Sequence, residues 1–168
     1  YRGVKVMKKT NIILGIVIAI FVICAVFILV NAVISNKPDD TVPVNVDFAA
    51  LSSEIEESTN FDSSKMKQIT IDDLQNEFSI NSEWIKQVIG QRPYVNVTSS
   101  MYVIGEVTEG NVDNVVSAFE KYGESYDEMW KDYLTEEYEL VKNRLIGSKG
   151  NYVYFIVSDY ASDIVDLI

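Results

Sequence analysis

The sequence predicts an α+β protein: an N-terminal transmembrane helix, then a small domain whose antiparallel sheet of about four strands carries helices packed on one face. Three observations predict it. Residues 12–30 run without a charge or a strongly polar side chain, and a helix rising about 1.5 Å per residue crosses a hydrocarbon core of about 30 Å over that length. Beyond them, stretches with apolar residues at three- and four-residue spacing alternate with short β-branched and aromatic stretches bounded by Gly, Pro and Asn. The strand-like stretches come as neighbouring pairs on either side of one long helix, an order that favours antiparallel pairing with the helices on one side.

In the apolar run only Gly15 interrupts Ile, Val, Leu, Phe, Ala and Cys. Arg2, Lys5, Lys8 and Lys9 precede it, and no acidic residue occurs in the first 38 positions. By the positive-inside rule the N-terminus is cytoplasmic and the rest lies outside. The expected division is a cytoplasmic tail (1–10), a single-pass cell-membrane anchor (11–34), a linker (35–46) and an extracytoplasmic domain (47–168). Met7 as the start would leave Lys8 and Lys9 to set the same orientation. A cleaved signal has a shorter apolar stretch, about 7–15 residues, and a small-residue cut site that Asn31-Ala32-Val33-Ile34-Ser35 matches only loosely. Lipidation at Cys24 would need a small residue where Ile23 stands.

The elements follow in order. Residues 35–46, with two prolines and two aspartates, read as an extended tether. Asp47 is placed to cap a helix over 48–58, with Phe48, Leu51 and Ile55 on one side. Thr70 and Asp73 have the spacing of a capping box that opens a helix to about Phe78, with Leu74 and Phe78 inward. Residues 85–91, bounded by Pro93, read as an edge-like strand. Residues 102–108 form a better strand, broken at Glu109-Gly110-Asn111. Residues 111–131 form the longest helix after the anchor: Val112, Val115, Val116, Phe119, Tyr122, Tyr126, Met129, Trp130 and Tyr133 make a wide apolar stripe. A short helical turn is expected over 133–139. Strands over 140–148 and 152–159 frame Lys149-Gly150-Asn151 as a hairpin. The second of them is apolar on both sides and therefore central. Ser158 or Asp159 starts a last helix ending at Ile168.

All 25 acidic residues follow position 36, against 10 of the 14 basic ones, so the outer part carries −15. That charge disfavours nucleic acid, whose phosphates need basic partners, and anionic lipid head groups. The outer part has no cysteine, so no disulfide supports it, and the whole chain has no histidine. This excludes Ser-His-Asp and Cys-His catalysis and His-ligated metals; no metal and no cofactor are expected.

Ser64-x-x-Lys67 matches the S-x-x-K spacing of penicillin-interacting serine enzymes, but the S-x-N and K-T-G companions are missing from the outer domain. Residues 63–67 read as a polar loop or helix entry. Glu106 is a carboxylate within a strand, expected to be satisfied or solvent-facing. No calcium, nucleotide or G-x-S-x-G motif occurs. Nine of the ten tyrosines lie in the outer domain, and a half-buried phenol suits a core margin or a protein contact. Tyr138 and Tyr160, outside the long helix, are the expected partner-binding anchors. Asn96-Val97-Thr98 is a glycosylation acceptor pattern.

Tyr133-Leu134-x-x-Glu137-Tyr138-Glu139-Leu140-Val141-Lys142-Asn143, then Lys149-Gly150-Asn151-Tyr152-Val153 and a terminal Val157-Ser158-Asp159, resemble the family called domain of unknown function 4358. Its members are short bacterial proteins, largely Gram-positive, with a membrane anchor or lipoprotein signal before one small domain. The likeness covers about residues 48–168. Where members commonly carry a Y-L-P segment, Thr135 stands in this chain. The resemblance implies an extracytoplasmic α+β domain and brings no activity, only a tendency to accompany envelope acyl-transfer genes.

The expected function is therefore a non-catalytic interaction or accessory module at the cell envelope, tethered by one span and bound to an envelope protein. The alternative is a small carboxylate- or tyrosine-dependent envelope-modifying enzyme, which would gather Glu106 with Lys142, Arg144 or Tyr138 in one pocket. A sensor signalling through the span is disfavoured, because so short a tail holds no output domain.

Overall fold

The computed structural model describes residues 46–59, 61 and 64–168. Along them run α1 (Phe48–Ser58), β1 (Met66–Gln68), α2 (Ile71–Glu77), a 3-10 turn (Ser82–Trp84), β2 (Ile85–Pro93), β3 (Met101–Val107), α3 (Val112–Trp130), α4 (Thr135–Lys142), β4 (Leu145–Lys149), β5 (Tyr152–Val157) and α5 (Ala161–Leu167). The expected tail and membrane anchor lie outside the described residues, as does the linker up to residue 45. Among the described helices none is long and apolar enough to cross a membrane. The described residues belong to one unit, Thr41–Ile168.

Local chemistry sets the helix starts. Asp47 Oδ1 accepts from the backbone N–H groups of Ala49 and Ala50 at 3.0 and 3.1 Å, satisfying two donors that α1 cannot pair internally. At α2 the capping box is complete: Asp73 N–H donates to Thr70 Oγ1 at 3.2 Å, and Thr70 N–H donates to Asp73 Oδ2 at 2.9 Å. The long helix α3 buries Val115, Phe119, Gly123, Tyr126 and Trp130, one stripe at helical spacing.

The sheet is antiparallel throughout, with five strands in the order β1-β2-β3-β5-β4. Successive side chains alternate between its faces. Met101, Val103, Val107, Val153, Phe155 and Val157 point into a core closed by Leu74 of α2, the α3 stripe and Val141 of α4. Tyr102, Ile104, Tyr152 and Ile156 point the other way, into a second core closed by Phe48, Leu51 and Ile55 of α1 and Ala161 and Ile164 of α5. Helices therefore cover both faces. This corrects the expectation of helices on one face, and the reason is legible in β5: a strand apolar on both sides needs cover on both. The cover on the second face comes from α1 and α5, the first and last elements of the domain.

The strand count is five rather than about four. The three-residue β1, whose first two residues read from sequence as polar loop or helix entry, pairs with β2 and takes the edge. So β2 is internal, not edge-like, and Pro93 does not contradict that. Pairing of β2 with β3 ends at Gln91–Tyr102, so the N–H that Pro93 lacks would have had no strand to donate to. Gly90 is required where β1, β2 and β3 meet, because a Cβ there would stand 2.6 Å from the Tyr102 carbonyl oxygen.

Two further boundaries move. Residues 140–142 complete α4 and the strand begins at Leu145, because Val141 sits one turn beyond Tyr138 on the face packed into the core. The last helix starts at Ala161 rather than at Ser158 or Asp159. The hairpin is where the sequence places it, with Lys149 paired to Tyr152 and Gly150 at a φ of 57°.

Candidate functional site

At the end of the sheet where β3 begins and β5 finishes, the chain leaves a groove of about 550 Å³. Phe61, Lys65 and Met66 form one wall, Ser158, Asp159 and Tyr160 the other, and Pro93, Val95, Val97, Thr98 and Ser100 close it from the β2–β3 connection. Phe61 packs edge-on against the buried Tyr102 ring at 5.0 Å, which ties that wall to the second core. The described chain begins at the opposite end of the sheet, where Val46 N–H donates to the Tyr152 hydroxyl at 3.1 Å. From there α1 runs along the face toward Phe61.

The loop of residues 94–100 forms the lip. Tyr94, Val95 and Val97 are 67, 62 and 65 % exposed, a cluster of apolar side chains held in water. The base of the loop is clamped. Glu137 of α4 accepts at Oε2 from Ser99 N–H at 2.6 Å and from the Thr98 hydroxyl at 3.1 Å. The Ser99 hydroxyl lies 2.8 Å from the same oxygen and 3.0 Å from the Glu137 carbonyl oxygen, sharing its one proton between them. From α3, the Tyr126 hydroxyl donates to the Ser99 carbonyl at 3.0 Å. Ser99 is fully buried, so these bonds act away from water, where a charged acceptor is worth most. Asn96 approaches the exposed Met129 of α3, with Nδ2 4.0 Å from its sulfur.

The two tyrosines expected as partner anchors are half-buried and lie apart. Tyr160 lines the groove and packs against the second core. Tyr138 packs against the first core from α4, with Lys142 Nζ 5.2 Å from its ring centre. The most exposed described tyrosines are Tyr94 and Tyr133. Sequence reasoning passed over Tyr94, although its place after Pro93 in a turn-forming Val-Asn-Val-Thr stretch is a signal for an exposed aromatic.

The residues that a carboxylate- or tyrosine-dependent enzyme would gather are dispersed. Glu106 accepts from Lys86 at 2.8 Å and Gln87 at 2.9 Å, and the Lys86 hydrogen bond holds its carboxyl below the usual range. Lys142 is paired with Glu139. Arg144 makes a bidentate pair with Asp127, both bonds 2.8 Å, across the α3 backbone at Gly123. Lys67 of the S-x-x-K pattern pairs with Asp73 at 2.9 Å. Burial pushes the phenols of Tyr102, Tyr126 and Tyr154 up, and that of Tyr122 to about 12. All are thereby moved away from the range in which a phenol exchanges protons near neutrality. Among the described residues no cluster of three His, Cys, Asp or Glu could hold a metal ion.

A family model described as domain of unknown function (DUF4358) matches residues 59–158. That span holds all five strands and every groove residue except Asp159 and Tyr160, while α1 and α5 fall outside it. No curated protein and no solved structure matches the chain. With the family model spanning more than half of its length, the chain belongs to the family of domain of unknown function 4358.

Proposed function

We propose that this protein is a membrane-anchored, non-catalytic binding module of the cell envelope, acting on the extracytoplasmic side through the groove at the end of its sheet. One observation carries the reading: an apolar groove whose lip displays Tyr94, Val95 and Val97 in water and is clamped from beneath by Glu137 and Tyr126. A surface kept ordered while exposing aliphatic side chains suits recognition without rearrangement, which lowers the entropy cost of binding. The uncharged run 12–30 and its basic flank supply the tether and its orientation. Tyr160 contributes from the groove wall, and Tyr138 would join only a partner that also covers α4.

Crosslinking in intact cells, followed by mass spectrometry of co-purified membrane and envelope proteins, tests the reading. Recovery of a distinct protein by the wild-type chain, lost in a Val95→Asp/Val97→Asp variant of normal abundance, is expected. Recovery of nothing but the chain itself would sink it.

A further inference from the structure

Resting on that reading, we infer that the contact surface runs from the lip of the groove across to the α3–α4 connection, and that it seats a folded protein whose own apolar patch is bordered by lysine or arginine. Among the described residues the exposed large apolar side chains are Tyr94, Val95 and Val97 of the lip, and Met129, Tyr133 and Leu134 at and beyond the end of α3. These two short segments are fastened to each other. Asn96 Nδ2 stands 4.0 Å from the Met129 sulfur, and the Tyr126 hydroxyl, from just before Met129, donates to the Ser99 carbonyl. Glu137, just after Leu134, accepts from Thr98 and Ser99. The far side is supported as well, with the Tyr133 ring 5.6 Å from that of the buried Trp130. Apolar side chains exposed singly need no explanation, but a set gathered on one ordered surface marks an interaction site. Tyrosine and methionine are also enriched at the centres of protein contacts.

The charge around this patch selects the occupant. Residues 94–100 hold no acidic or basic side chain, whereas residues 127–139 hold six carboxylates and one lysine. Arg144 pairs with Asp127, Lys131 with Glu128 and Lys142 with Glu139. Asp132 and Glu136 flank Tyr133 and Leu134 in the chain, both exposed and outside any ion pair among the described residues. Glu137 adds its carboxylate to the clamp, where it accepts from uncharged donors. The patch therefore has a negative border on the α3–α4 side and a neutral one at the lip. A partner with a positive border beside its apolar patch is steered in and oriented by that asymmetry. A second copy of the chain would set carboxylates against carboxylates, and an anionic lipid surface would meet the same repulsion. A glycan would leave hydroxyls unmatched over aliphatic carbon and a thioether.

Site-specific photocrosslinking of the full chain in intact cells tests the inference. The photoreactive residue p-benzoylphenylalanine replaces, one site at a time, Val97 on the lip, Tyr133 and Leu134 on the far side, and Ser148, exposed at the opposite end of the sheet, as the control. One and the same protein should be captured from Val97, Tyr133 and Leu134 and not from Ser148. Mass spectrometry should place the captured peptides where Lys and Arg outnumber Asp and Glu. Asp132→Lys/Glu136→Lys should cut the adduct formed from Val97 at least fivefold at unchanged abundance in the membrane, and so should Leu134→Asp. Glu54→Lys/Glu57→Lys makes the same charge change at exposed positions of α1, on the other face of the sheet, and should leave the adduct intact. An equal loss with that control, no loss with Asp132→Lys/Glu136→Lys, or capture of an acidic surface overturns the inference. So does an adduct of the chain with itself or with lipid alone. If a partner is captured from Val97 but not from Tyr133 or Leu134, the extended surface fails and the binding module acting through its groove stands; if all three sites are empty, both fail.

Discussion

Trp130 is 1 % exposed at the last turn of α3, against the rings of Tyr126 at 6.1 Å and Tyr133 at 5.6 Å. Its removal opens a cavity that the surrounding aromatics cannot collapse into, so Trp130→Ala should cost about 3–5 kcal/mol in urea denaturation. A loss below about 1 kcal/mol would place its energy in a contact other than the core. Glu137 has a different role, because it works on one loop. Glu137→Ala strips the buried Ser99 N–H of its acceptor and leaves the Ser99 hydroxyl only the backbone carbonyl of residue 137, and should cost about 1–3 kcal/mol; Glu137→Gln keeps an oxygen there and should cost about 1–2. Hydrogen exchange should speed up in residues 94–100 of the glutamine variant more than in β3 or β5. Uniform exchange would deny the clamp. This half of the site was not readable beforehand. Glu137 sits in an acidic, helical stretch where solvation is the natural reading, and only the fold brings it under Ser99, 38 positions earlier in the chain. Tyr160, expected as an exposed anchor because it lies outside the long helix, lines the groove but is half-buried against the second core.

At the scale of elements, local signals were reliable wherever the physics is local. Asp47, the Thr70–Asp73 box and the Gly150 turn stand as read, because each depends on residues within one or two turns; the stripe of α3 stands except at Met129 and Tyr133, which are exposed. What depended on distant partners was missed: β1 is three residues long and is a strand only because β2 lies beside it. The capping box also gives a pH prediction. Burial raises the Asp73 carboxyl, but hydrogen bonds from Thr70 and Lys67 outweigh it and bring the pKa down to about 2. A carboxyl whose pKa is lower folded than unfolded, where it is about 3.9, binds fewer protons in the native state. Its stabilisation is therefore full above about pH 4 and lost as the pH falls toward 2. Asp73→Asn should cost about 1–2 kcal/mol at pH 7, through the weakened cap and the lost pairs with Lys67 and Arg92. The difference between wild type and variant should shrink toward the cap's share alone by pH 2. A difference that stays constant from pH 7 to pH 2 would show that the charge is idle.

Among the described residues, two apolar cores share one sheet, and every core residue named above follows position 46. A chain beginning at Thr41 should therefore be soluble and fold with one cooperative transition; aggregation or a non-cooperative melt would refute that boundary. Its charge also makes its salt response predictable. From Thr41 onward the sequence has 23 acidic residues against 9 basic ones, a net −14. Most of the lysines and arginines are taken up locally: Lys67, Lys86, Arg92, Lys131, Lys142 and Arg144 each pair with a carboxylate. Two effects of salt then compete. Screening weakens those pairs, but surface pairs are each worth only about 0–1 kcal/mol and act within a few ångströms. The repulsion among the excess carboxylates acts over distances comparable with the Debye length, which shortens to about 10 Å at 0.1 M salt. The longer-range term is screened first, and it opposes the compact state. Raising sodium chloride from about 20 to about 200 mM at pH 7 should therefore raise the melting temperature of the chain beginning at Thr41 by a few degrees. A fall over the same range would mean that the ion pairs, Arg144–Asp127 foremost among them, outweigh the repulsion of an excess of 14 negative charges.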